Sequence, residues 1–166
     1  MMPTIKRILF TTDLSPNSEY VFRYAINSAI KHDAKIIILY VIEAMSPTGQ
    51  TLLSAYLDAD FQGKLMTEYI EHSDDQIKES LQKFCQTELN DDPDAIDRIE
   101  TIETCTGYPA EVILKKADEF DCDAIVMGNH GKGLISETFL GSVSKRVLRR
   151  TRKPVFIIPI PPETSA

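Results

Sequence analysis

Residues 35–41 read Lys-Ile-Ile-Ile-Leu-Tyr-Val. This is a continuous run rich in β-branched side chains, without the alternation of a half-exposed strand, and it is what a strand covered on both faces requires. A strand of that kind belongs to a sheet with helices on either side, so its flanks should be helical. Upstream, Arg7 to Thr12 (R-I-L-F-T-T) reads as a short buried strand. Between the two, Ser15-Pro16 supplies an N-cap and a proline at the first helical position, and Phe22, Ala25, Ile26, Ala29 and Ile30 recur at helical spacing.

Downstream, Pro47, Gly49 and Gly63 interrupt any pattern, and Met45 to Gly63 reads as a loop with some helix. Met66, Ile70, Ser73, Ile77, Leu81 and Phe84 then mark a long amphipathic helix, which ends before the acidic turn Asn90-Asp91-Asp92-Pro93-Asp94. Arg98 to Thr104 alternates as a strand, and Pro109 opens a helix with Ile113, Leu114, Ala117 and Phe120 on one face. Cys122 to Met127 is another buried strand. After a glycine-rich loop, Ser142 to Arg150 reads as a helix with Val143, Val147 and Leu148 inward, and Pro154 precedes a last strand, Val155 to Ile160.

The order β-α-β-α-β-α-β-α-β folds as a doubly wound α/β sheet of five mainly parallel strands with helices on both faces, because each crossover must be right-handed. Ligands of such three-layer folds bind beyond the carboxyl ends of the strands, where the strand order reverses. Function is expected at Asp13, Val41 and Gly128.

The 166 residues suit one domain, 1–166, with 43% hydrophobic and 26% charged side chains. No apolar run approaches the roughly 20 residues needed to cross a bilayer, and the Met-Met-Pro-Thr-Ile-Lys-Arg start has no signal-peptide core. Cys85, Cys105 and Cys122 lack Cys-x-x-Cys spacing and leave an odd thiol, so they read as reduced packing residues of a cytoplasmic protein. His32, His72 and His130 have no metal-ligand spacing, and no structural metal is expected. Asp74-Asp75 and Asp91-Asp92 read as solvation, since adjacent residues on a helix point to different sides.

A net charge of −7 disfavours nucleic acid as a partner. The charge is uneven: Glu43 to Glu103 holds 15 acidic and 4 basic residues, whereas Lys145 to Lys153 holds 6 basic residues and no acid. Those cations either attract an anion or complement the macrodipole at a helix end, and their place at the end of a helix favours the second.

Glycine is scarce, 7 in all, yet Gly128, Gly131, Gly133 and Gly141 fall within 14 residues directly after a strand. Glycine lets a backbone turn consecutive amides inward and approach a ligand without a Cβ. The loop leads into Gly141-Ser142-Val143-Ser144, where helix N-terminal amides and two hydroxyls add to the same field, and the chemistry implied is phosphate binding. It is not a P-loop, because Leu134 and Ile135 follow Gly133 where Lys and Ser or Thr are needed. Nor is it a dinucleotide fingerprint, because Gly131-Lys132-Gly133 is followed by Leu134-Ile135-Ser136.

What remains, Gly128-x2-Gly131-x9-Gly141-Ser142 within M-G-N-H-G-K-G and F-L-G-S-V-S, resembles the ATP-binding branch of the universal stress protein family. The resemblance extends to Thr12-Asp13-Leu14-Ser15 after the first strand, to the second strand ending at Val41, and to Pro154-Val155-Phe156-Ile157-Ile158-Pro159. It implies an adenine-nucleotide α-hydrolase-like sheet of order 3-2-1-4-5. It further implies a cleft in which Thr12 and Asp13 lie at the nucleoside, Val41 pairs its backbone with the adenine edge, and Met127 and Gly128 line the sugar. Gly131, Gly141, Ser142, Val143 and Ser144 would hold phosphates, and His130 would be a hydrogen-bonding residue of the same loop. The ligand implied is ATP, or ADP or AMP, with Mg2+ or Mn2+ held by the phosphates. The plainer role for Asp13 is to cap the next helix.

Three functions follow. The first is an ATP-binding regulatory or stress-response protein with slow or no hydrolysis and no assigned catalytic residue. The second is an α-hydrolase-type enzyme, disfavoured because Thr11-Thr12-Asp13-Leu14-Ser15 contains no glycine. The third is a nucleotide-independent interaction module. The family resemblance also implies a homodimer in which Val155 to Ile160 pairs antiparallel with its copy, with Pro159 limiting the pairing.

Overall fold

A computed structural model of the chain describes residues 1–90, 92–130 and 140–161. β1 (Arg7–Thr11), β2 (Lys35–Glu43), β3 (Ile99–Gly107), β4 (Ala124–Gly128) and β5 (Val155–Ile158) form one sheet in the order β3-β2-β1-β4-β5, with every pairing parallel. The expected order and winding are those found. Ile36, Ile37, Ile38 and Leu39 of β2 are all fully buried, which is why that run shows no alternation.

Successive strand residues point to opposite faces and so feed two separate cores. Ile8, Phe10, Ile36, Ile38 and Val126 pack with Phe22, Ala25 and Ala29 of α1 (Ser18–His32). Leu81 and Cys85 of a long helix, Ala59–Glu88, complete that layer. On the other face Leu9, Ile37, Leu39, Ile125 and Met127 meet Ala110, Ile113 and Ala117 of one helix, Pro109–Glu119, and Val147 of another, Ser142–Arg150. In chain order the helices after α1 are α2 (Pro47–Tyr56), α3 (Ala59–Glu88), α4 (Pro93–Ile96), α5 (Pro109–Glu119) and α6 (Ser142–Arg150).

Met45 to Gly63, expected as a loop with some helix, is mostly helical, with α2 over Pro47–Tyr56 and α3 beginning at Ala59. Ser46 caps α2 by accepting the Gly49 N–H at 3.2 Å, with Pro47 at the first turn, and Asp58 caps α3 by accepting the Phe61 N–H at 2.9 Å. α2 buries no residue, so no apolar period announces it. α1 begins at Ser18, not at Ser15-Pro16: Asn17 stands at its N-cap in a left-handed conformation, without a side-chain cap. Ile30 and Leu148, expected to face inward, are 43% and 40% exposed, because each lies at the edge of its helix's apolar stripe. The acidic turn holds α4, capped by Asp92, which accepts the Ala95 N–H at 3.0 Å.

Asp74 is more than solvated. It accepts a hydrogen bond from Thr104 Oγ1 and pairs with Lys78 at 2.7 Å, joining α3 to the edge strand β3. The basic run sits at the far end of α6: Arg150 pairs with Glu111, and Lys153 Nζ lies 3.4 Å from Asp118 and donates to the Cys122 carbonyl at 2.7 Å. Cys85 and Cys122 are buried and Cys105 is half-buried, all as free thiols. Among the described residues no helix is long and apolar enough to cross a membrane.

Candidate functional site

The cleft begins where β1 stops. The last rung between β1 and β2 is the Thr12 N–H donating to the Leu39 carbonyl at 3.1 Å. Beyond it the chain turns sharply. Thr12 Oγ1 accepts the Leu14 N–H at 3.0 Å and Asp13 Oδ1 accepts the Ser15 N–H at 2.9 Å, while Leu14 and Asn17 adopt φ of 54° and 66°. Asp13 therefore shapes the turn rather than capping α1.

β2 runs on to Glu43 after β1 has left. Lys35 donates its N–H to Lys6 and Leu39 accepts from Thr12, whereas Ile36 and Ala44 donate to Arg98 and Gly107 on the β3 side. Main-chain groups of odd-numbered residues in this stretch thus point toward the β1 side, those of even-numbered residues toward β3. By that alternation the N–H and C=O of Val41 face the space that β1 vacates.

On the other side of β1, the register with β4 ends at Phe10 and Val126. Met127 and Gly128 continue past it, paired only with Ile157 and Ile158 of β5. A Cβ at Gly128 would lie 2.7 Å from Ile160 Cδ1, so a larger residue here would push the end of the Ile160 side chain aside. Asn129 is the junction of this region. Its N–H donates to the Ile158 carbonyl at 3.1 Å, its carbonyl accepts the Gly141 N–H at 2.7 Å, and its Oδ1 accepts the Ile160 N–H at 3.0 Å.

α6 starts here. Gly141 at its N-cap has no side chain with which to cap, and the first turn carries no acidic residue. The first amides of a helix have no partner within it, so those of Ser142, Val143 and Ser144 present partial positive charge. Two expected donors are already engaged. The Gly141 amide goes to Asn129, and the Ser144 hydroxyl donates to the Gly128 carbonyl at 3.0 Å. That leaves the amides and the exposed Ser142 hydroxyl as the groups that can face an anion.

Thr12, Asp13, Val41, Met127, Gly128, His130, Gly141, Ser142, Val143 and Ser144 all border one cavity of about 540 Å³. Gly131 lies outside the described residues, as do Lys132 and Gly133. Among the described residues the buried polar side chains are Thr12, Ser15, Ser18 and Ser144, and all four border this cavity. Two of these hydroxyls serve the fold: Thr12 Oγ1 accepts the Leu14 N–H and the Ser144 hydroxyl donates to the Gly128 carbonyl. Sequence reasoning missed Ser18 of α1, and Tyr69, Ser73 and Ile77 of α3. It also missed Asn129, although that residue sits inside the glycine motif. Among the described residues no group of three or more His, Cys, Asp or Glu side chains could hold a metal ion.

The family model described as "Universal stress protein family" matches residues 4–159. Universal stress protein MJ0577 of Methanocaldococcus jannaschii is 26% identical over 153 residues, covering 92% of this chain and 94% of that protein. Its solved structure matches with a TM-score of 0.70 at 25% identity, covering 94% of this chain and 96% of that one. A universal stress protein in complex with cAMP shares the fold at 22% identity, with a TM-score of 0.53 over 96% of this chain and 100% of that one. Another, from Archaeoglobus fulgidus in complex with dAMP, does so at 20% identity, with a TM-score of 0.51 over 95% and 99%.

Proposed function

Since the chain belongs to the universal stress protein family, we propose that it is a cytoplasmic regulatory protein of the ATP-binding branch, which holds an adenine nucleotide in the cleft beyond β1, β2 and β4. One observation carries this: the outward main-chain edge of Val41 and the uncapped N-terminus of α6 open onto the same cavity. An N–H beside a C=O is complementary to the N1 and N6 edge of adenine, and helix N-terminal amides are complementary to phosphate. Between them Asp13 and Thr12 meet the ribose, with Met127 and Gly128 along its other side. Ser142, Val143 and Ser144 receive the phosphates, with His130 bordering the same cavity. Two family members solved with cAMP and dAMP favour the same ligand class.

Binding is not transfer. Phosphoryl transfer needs an oriented nucleophile and cationic stabilisation at the γ-phosphate. The chain lacks the P-loop lysine, and among the described residues the α6 side of the cavity offers amides and the Ser142 hydroxyl. We therefore assign slow or no hydrolysis and no catalytic residue. A divalent cation would be carried by the phosphates rather than by a protein cage, with Asp13 and Glu43 as the carboxylates that border the cavity.

Residues 1–166 would act as one domain and pair through Val155 to Ile160, of which Val155–Ile158 form β5; among the described residues the outer edge of β5 meets no other strand, and its Phe156 is 38% exposed. A free edge with an exposed aromatic residue suits antiparallel pairing with a second copy, and sedimentation at a monomer mass independent of concentration would remove the homodimer. For the nucleotide, isothermal titration with ATP and AMP in the presence of magnesium is the test. Saturable binding of one nucleotide per chain is expected, and no binding of either at millimolar concentration refutes the assignment.

A further inference from the structure

α3 contributes to the cleft in a way the glycine motif does not foretell. Tyr69, Ser73 and Ile77 are spaced by four, so they share one face of the helix, and all three border the same cavity as Tyr40 to Glu43 of β2. One contact marks their height, beside the packing of Ile77, Leu81 and Phe84 against the core. Thr104 of β3 lies in register with Tyr40, and its hydroxyl donates to Asp74, which Lys78 holds from the other side at 2.7 Å. Ser73, next to Asp74, therefore stands at the level of residues 40–41 of β2.

The orientation follows from the sheet. Ile36, Ile38 and Tyr40 turn toward the layer of α1 and α3, while Ile37, Leu39 and Val41 turn toward the layer of α5 and α6. The free main-chain edge of Val41 lies between these layers, in the plane of the sheet. A flat ring paired with that edge presents one face to α3 and the other to Pro109 and Ile113 of α5. The α3 side offers an aliphatic group at depth, a hydroxyl at the level of Val41, and at the mouth an aromatic ring that is 66% exposed.

We infer that Tyr69 and Ser73 on this face of α3 are specificity-determining residues that cover the base, restricting the cleft to phosphates carrying a flat heteroaromatic group. The inference rests on the nucleotide reading above. Stacking of a base on an aromatic side chain is sequence-tolerant but requires a base, so sugar phosphates and polyphosphates gain nothing from this wall.

The test is titration of wild type, Tyr69→Ala, Tyr69→Phe and Ser73→Phe with AMP and with ATP. Tyr69→Ala should weaken both nucleotides by the same factor, roughly tenfold, while Tyr69→Phe keeps wild-type affinity. Ser73→Phe fills the space of the base and should weaken both at least as much. Tyr69 is largely exposed, so the Tyr69 variants should unfold at the wild-type temperature. Wild-type affinity in Tyr69→Ala and Ser73→Phe overturns the inference. So does a loss that grows from AMP to ATP, since the effect would then lie at the phosphate end. Failure of the wild-type protein to bind either nucleotide overturns the nucleotide reading as well, so the two failures are distinguishable.

Discussion

Asn129 Oδ1 accepts the main-chain N–H of Ile160 at 3.0 Å, tying the tail that follows β5 to the segment that leaves β4. Because the Asn129 carbonyl also accepts the Gly141 N–H at 2.7 Å, the exit from β5 and the entry to α6 meet at one residue. Asn129→Ala removes the side-chain bond alone. It should cost roughly 1 kcal/mol of stability and release Ile160 from the floor at Gly128, lowering ATP affinity. Urea unfolding and titration check this, and unchanged values in both would contradict it.

Ser142 and Ser144 should separate. The Ser144 hydroxyl is buried and committed to the Gly128 carbonyl, so Ser144→Ala should destabilise the fold by about 1 kcal/mol. The Ser142 hydroxyl is exposed, so Ser142→Ala should leave the unfolding midpoint unchanged and weaken ATP binding. Parallel measurement of midpoints and ATP dissociation constants distinguishes the two. A reversed pattern would show that the hydroxyls have been given the wrong roles.

Recognition at Val41 through the main chain makes its side chain nearly irrelevant to the ligand. Val41→Leu should retain AMP affinity. Removing the acceptor from the ligand instead, as in 1-deaza-AMP, should weaken binding by roughly fivefold, the worth of one hydrogen bond. Equal affinity for AMP and 1-deaza-AMP would place the base elsewhere.

Burial pushes the Cys85 and Cys122 thiols from an ordinary 9.0 up to about 11, through desolvation of the thiolate in each case. A thiol whose pKa is raised by folding stabilises the folded chain fully below its unfolded value, and that contribution is lost as pH rises through the folded value. Denaturant midpoints should therefore show this loss between about pH 9 and 11. The double variant Cys85→Ala, Cys122→Ala should show a shallower decline over the same window. An identical decline would assign the effect to other groups.

Legibility in the sequence follows burial. β2 was readable because Ile36 to Leu39 are buried on both faces, and the α1 stripe because Phe22, Ala25 and Ala29 repeat against the sheet. α2 was not, because a helix with no buried residue leaves no periodic trace, and Pro47 and Gly49 look like loop residues unless Ser46 is read as a cap. Ser15 misled because its place is inside the turn, where its N–H serves Asp13. The cleft was legible at the strand ends and the glycine motif, which lie in short contiguous stretches. Tyr69, Ser73 and Ile77 lie far from those stretches in sequence, and only the Asp74–Thr104 contact and the packing of α3 bring them to the cleft. Asn129 could have been singled out as a polar residue immediately after Gly128, but its three partners are visible only once β5 and α6 are in place.

Phosphate binding in this cleft depends most directly on the amides at the start of α6. Backbone amide shifts of the 15N-labelled protein, recorded with ATP and with adenosine, test it. The Val41 amide should move with both ligands, and those of Ser142, Val143 and Ser144 should move strongly with ATP and little with adenosine. If the three α6 amides stay in place at saturating ATP, the phosphates are held elsewhere and the account is wrong.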